Sequence, residues 1–79
     1  MITEQVIKKL ITETIKGIDI SRLGIEDNFV EFGLDSLDLA SILMAIDERL
    51  GVNIPDKDVD QCSSIQGIVD YCRNKEVAL

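Results

Sequence analysis

The sequence contains no histidine and no tryptophan. Without histidine there is no Ser-His-Asp or Cys-His catalytic arrangement. The one side chain that titrates near neutrality unperturbed is also missing. Aromatic residues are scarce: Phe29, Phe32 and Tyr71 are the whole set. The core must therefore come from Ile, Leu and Val. No uninterrupted apolar run reaches bilayer length. The opening Met1–Leu10 stretch mixes Glu4, Lys8 and Lys9 with apolar residues, unlike a signal peptide. A soluble, cytoplasmic protein is expected.

Cysteine is sparse as well. Cys62 and Cys72 are the only two. Two thiols with no histidine do not complete a zinc site, and nothing marks an oxidising compartment. Both are expected to be small buried hydrophobes.

At 79 residues the chain makes one domain, expected to span 1–79. A domain this small leaves little room for a pocket that encloses a substrate. The net charge is −7 and unevenly placed. From Glu26 to Asp60 ten acidic residues face only Arg49 and Lys57, a balance of −8, while the rest of the chain is +1. Nucleic acid and anionic membranes want a basic patch and are not expected partners. Basic protein surfaces are.

Four helices are legible from the pattern, and no strand alternation is present. The first is expected over Thr3–Lys16, with Ile2, Val6, Ile7, Leu10 and Ile11 as its stripe and Gly17 as its stop. A long first loop follows, Gly17–Leu34. Loops of this length are usually functional or anchored. Ile18, Ile20, Leu23, Ile25, Phe29 and Leu34 are its candidate anchors, and a short helical turn has room inside it. The second helix should run Ser36–Leu50, capped by Asp35 and ended by Gly51. Pro55 should open a short third helix at its first position. Ser63 and Gln66 form a capping-box pattern for a fourth, with Ile65, Ile68, Val69 and Cys72 buried. The fold class is all-α: a small four-helix bundle of three longer helices and one short, with a long first loop.

The second helix carries two apolar stripes. At about 100° per residue, Leu39, Ile42, Leu43, Ile46 and Leu50 face the core. Leu37, Ala40 and Met44 form a narrower strip well round the helix, bordered by Ser36, Ser41, Asp47 and Glu48. An apolar strip rimmed by acids is a docking surface in form. The alternative is that Leu37 and Met44 pack under the long loop. Ser36 sits in the first turn. Asp35 can cap the helix, which leaves the Ser36 hydroxyl for solvent. A phosphate attached there would lie over the unpaired N–H groups of the helix start. Serine at a helix start is also ordinary capping.

Asp56, Asp58 and Asp60 alternate like the start of a calcium loop. Gln61 stands where such a loop needs glycine and Gly67 where it needs glutamate, so no EF-hand is present. The three carboxylates repel one another, which leaves a weak divalent-ion site as the alternative to a solvated acidic helix start. The solvated start is the favoured reading, and no metal site is expected.

The run Asp27-Asn28-Phe29-Val30-Glu31-Phe32-Gly33-Leu34-Asp35-Ser36-Leu37-Asp38 resembles the attachment motif of acyl carrier proteins. Met44-Ala45-Ile46-Asp47-Glu48, Gly51-Val52-Asn53-Ile54-Pro55-Asp56 and Ser63-Ser64-Ile65 leading to Val69-Asp70-Tyr71 extend the resemblance over almost the whole chain. It implies that Ser36 receives 4′-phosphopantetheine from coenzyme A through a separate Mg²⁺-dependent phosphopantetheinyl transferase, with Asp35 assisting. The arm's thiol would carry acyl groups as thioesters. Leu37, Asp38, Ala40, Ser41, Met44, Asp47 and Glu48 would meet acyl-loading and chain-processing enzymes through basic patches on those partners. The carrier itself would be a monomer without catalysis. Ser41 and Arg49 stand where the fatty-acid-synthesis pattern usually has acids, and Leu39 where a polar residue is frequent, which implies a specialised carrier. An aminoacyl, peptidyl or D-alanyl carrier shares the same fold. An unmodified helical interaction module would account for the stripe and the charge without using Ser36.

Overall fold

The computed structural model describes residues 2–17 and 19–77. Its elements are α1 (Glu4–Thr14), α2 (Phe29–Phe32), α3 (Ser36–Leu50), a 3₁₀ helix (Asp56–Cys62) and α4 (Ile65–Val77). There is no strand among the described residues. Three long helices, one shorter one and a long first connection match the expected bundle.

α1 starts where Thr3 accepts the Val6 N–H in its side chain, at 3.3 Å. Its buried face is Ile7, Leu10 and Ile11. Val6, expected in that stripe, is exposed. The helix ends at Thr14 rather than Lys16. Ile15 turns to extended backbone, keeps its N–H bond to the Ile11 carbonyl at 2.8 Å, and buries its side chain.

The long connection is pinned as expected by Ile20, Leu23, Phe29 and Leu34, all buried. Ile25 is exposed, and its contribution comes from the backbone: its carbonyl accepts the Gln66 N–H at 2.8 Å. Ile18 lies outside the described residues. The expected turn exists as α2, capped by Asn28, whose side chain accepts the Glu31 N–H at 3.1 Å. Phe29 closes the other end of this loop. Its ring is fully buried and its N–H donates to the Ser63 carbonyl at 2.9 Å.

The later boundaries shift by one residue. Pro55 precedes the 3₁₀ helix instead of opening it, and its carbonyl accepts the Asp58 N–H at 2.9 Å. The Ser63–Gln66 box does not form. Ser63 ends the 3₁₀ helix, and Ser64 takes the capping role, accepting the Gly67 N–H at 3.0 Å. The Gln66 amide instead donates to Asp70 along α4 at 2.9 Å.

One aliphatic core joins these pieces. Ile7 and Ile11 of α1, Ile42 and Ile46 of α3, and Ile65, Ile68 and Val69 of α4 are fully buried in it together with the Phe29 ring, and Tyr71 belongs to the same core. Cys62 and Cys72 are not joined by a disulfide and are buried there too, as expected. No polar side chain among the described residues is buried. The core thus holds α3 by its inner face and leaves the outer face open.

Candidate functional site

The loop-to-α3 junction is built by consecutive caps. Gly33 closes α2 at φ +128, backbone that residues with a Cβ rarely adopt, and its N–H reaches the Phe29 and Val30 carbonyls. Leu34 buries itself and donates to the Phe29 carbonyl at 3.0 Å. The chain then enters α3 at Asp35. The Asp35 carboxylate accepts the Asp38 N–H at 2.9 Å, and the Asp38 carboxylate accepts the Asp35 N–H at 3.3 Å. This is a reciprocal capping box built from two aspartates. The sequence announced Asp35 as the cap; the return bond from Asp38 was missed. The D-x-x-D spacing at the helix start was its signal.

Ser36 is the first residue inside α3 and is exposed. Its hydroxyl makes no hydrogen bond in the described structure. Asp35 does the capping, so the serine oxygen stays available at the positive end of a 15-residue helix. A phosphodiester on that oxygen has open space and favourable dipole on its side. The residues present therefore fit a covalently attached phosphopantetheine.

Leu37 is 76% exposed and Met44 63% exposed, with Ala40 and Ser41 exposed between them. The loop does not cover this strip. Asp47 and Glu48 are exposed at its far end. The Asp47 carboxylate lies 3.5 Å from the Asn53 amide. Asp38 is only half-exposed and is tied to Asp35. Val30 on α2 is a further exposed apolar residue, at 59%. Sequence reasoning passed over it, although Phe29 facing the core forces its neighbour outward in so short a helix.

Arg49 does not stand on this strip. It forms an ion pair with Glu13 of α1, across the seam between the two helices. That hydrogen bond, with help from the charges of Arg49, Lys9 and Lys16, holds the Glu13 carboxyl below its ordinary value. The guanidinium is thus neutralised locally.

Of the alternating aspartates, Asp56 and Asp60 are exposed and only Asp58 is engaged with protein groups. Asp58 accepts the Tyr71 hydroxyl at 2.7 Å and the Gln61 amide at 3.3 Å. A depression of about 420 Å³ lies elsewhere, between α1 and the first loop, lined by Lys8, Lys9, Thr12 and Ile20 among others, and Ser36 is not part of it.

Comparison with known proteins agrees with this geometry. The family described as "Phosphopantetheine attachment site" matches residues 5–72. Acyl carrier proteins of two Nitratidesulfovibrio vulgaris strains, DP4 and Hildenborough, are each 36% identical to this chain over 77 residues, covering 96% of it and the full length of each relative. Exposed serine, capped helix and near-complete alignment converge, and the chain belongs to the phosphopantetheine-attachment family as an acyl carrier protein, the class that works with a covalently attached 4′-phosphopantetheine.

Proposed function

We propose that Ser36 is the attachment residue and that this protein delivers acyl thioesters to partner enzymes without catalysing their chemistry. The observation that carries the reading is the Ser36 hydroxyl, exposed and unbonded in the first turn of α3 while Asp35 caps the helix. The arm supplies a thiol that forms thioesters. The chain's own residues hold and present it. α3 orients the serine, its N-terminal N–H groups favour the phosphate charge, and Asp35 keeps one carboxylate oxygen outside the Asp38 bond. That second oxygen is the group available to assist a metal-dependent transferase. No histidine is present to act as a general base at Ser36.

Docking runs along Leu37, Ala40, Ser41 and Met44, with Asp47 and Glu48 meeting basic groups on the transferase and the acyl-loading and chain-processing enzymes. The strip is too narrow for a stable dimer, so the carrier acts as a monomer. No helix among the described residues is long and apolar enough to cross a membrane, and the proposed site of action is the cytoplasm. Ser41 in place of an acid supports a specialised carrier with its own partners. Turnover by general fatty acid synthase enzymes at rates matching a housekeeping carrier would count against that specialisation. The site itself is tested by peptide mapping after incubation with coenzyme A, Mg²⁺ and a broad-specificity phosphopantetheinyl transferase. The modified peptide should contain Ser36. Modification at another residue would refute the assignment.

A further inference from the structure

We infer that Asp38 is a positioning residue for the modification of Ser36, acting through the Asp35 backbone rather than as a charge read by partners. The inference rests on Ser36 being the attachment site.

Three observations carry it. The Asp38 carboxylate accepts the Asp35 N–H at 3.3 Å while the Asp38 N–H donates to the Asp35 carboxylate at 2.9 Å. The two bonds fix both ends of the turn that holds Ser36 and Leu37. Asp35 sits at φ −100 and ψ −177, an extended entry that Asp38 clamps by its N–H. This sets the direction in which the chain enters the helix and so the direction of the Ser36 side chain. Next, Asp38 lies off the docking strip. At about 100° per residue it stands roughly 100° from Leu37 and about 120° from Met44, on the flank where Arg49 meets Glu13. Finally, Asp38 is half-exposed whereas Asp35, Ser36 and Leu37 are exposed. A charge meant for a partner's basic patch would stand outward with them.

The box also sorts the two Asp35 oxygens. One is held by the Asp38 N–H. The other is left for the transfer reaction, in an orientation the clamp maintains. Losing the clamp would let the first turn fray and would scatter both the serine hydroxyl and that oxygen.

A neutral acceptor long enough to reach back serves a capping box as well as a carboxylate does. The test is transferase kinetics on the full chain with Asp38→Glu, Asp38→Gln and Asp38→Ala, alongside amide exchange at Asp35 by NMR. Glu and Gln should stay within about twofold of wild type. Ala should lose roughly tenfold in kcat with KM little changed, and its Asp35 amide should exchange faster. If Gln falls as far as Ala, mainly in KM, the transferase reads charge and the inference is overturned. Equal rates for all variants would overturn it too. A wild-type protein that accepts no phosphopantetheine would instead defeat the Ser36 reading, and the exchange data would still decide whether Asp38 holds the turn.

Discussion

The Tyr71 hydroxyl donates to the Asp58 carboxylate at 2.7 Å and so ties α4 to the 3₁₀ helix. The Lys75 ammonium stands 5.5 Å from the centre of the same ring. The hydrogen bond to Asp58, burial, and the nearby negative charge push the Tyr71 pKa up from 10.0 to about 12. The unfolded chain then releases its phenolic proton at lower pH than the folded one. Below pH 10 the contribution is complete, and it is lost as pH rises from about 10 to about 12. Tyr71 is the only tyrosine, so an absorbance titration reads one site. Its midpoint should lie near 12, and Asp58→Asn should lower it toward the ordinary value. An ordinary midpoint in the wild type would contradict the latch.

α4 begins against the 3₁₀ helix at very close range. A Cβ on Gly67 would collide with the backbone carbonyl oxygen of Gln61. A backbone atom cannot yield as a side-chain tip can. Gly67→Ala should therefore destabilise by about 1–3 kcal/mol, despite alanine's better helix propensity. In a domain this size that is a fall of roughly 4–8 °C in Tm per kcal/mol. A calorimetric scan checks it, and an unchanged or higher Tm would mean the seam is looser than described.

The two thiols should be slow to react. Burial first, then the neighbouring Cys72 and Asp58, push the Cys62 thiol up to about 11. Cys72 is fully buried. The thiolate is the reactive form, so native protein at pH 8 should react with a thiol reagent far more slowly than denatured protein. Equal rates would show that the core opens readily.

The docking strip separates binding from folding. Leu37→Ala and Met44→Ala remove exposed side chains and should change stability by no more than about 0.5 kcal/mol. Both should weaken partner enzymes, seen as higher KM values for the carrier. Unchanged KM values would remove Leu37 and Met44 from the interface.

How far the sequence could be read follows a simple physical line. Periodicity located α3 and its two stripes because Ile42 and Ile46 against Leu37 and Met44 is a difference in burial that the 3.6-residue repeat records directly. The Asp35 cap was legible because capping is local. What was not legible depended on atoms brought in from elsewhere. Ser63 looked like the cap of α4, but its carbonyl receives Phe29, and Ser64 caps instead. α1 stopped two residues early, at Thr14, with Ile15 extended yet still buried, an end that no local signal in the sequence marked. Arg49 read as a gap in the acidic face, and only its pairing with Glu13, 36 positions away, shows where its charge goes. At the site itself, Ser36 came from the motif it resembles, whereas the freedom of its hydroxyl came from the capping geometry.

The most direct measurement is intact mass after incubation with coenzyme A, Mg²⁺ and phosphopantetheinyl transferase, with Ser36→Ala alongside. The account predicts one added phosphopantetheine on the wild type and none on the variant. No addition to the wild type with several transferases, or equal addition to both proteins, would contradict it.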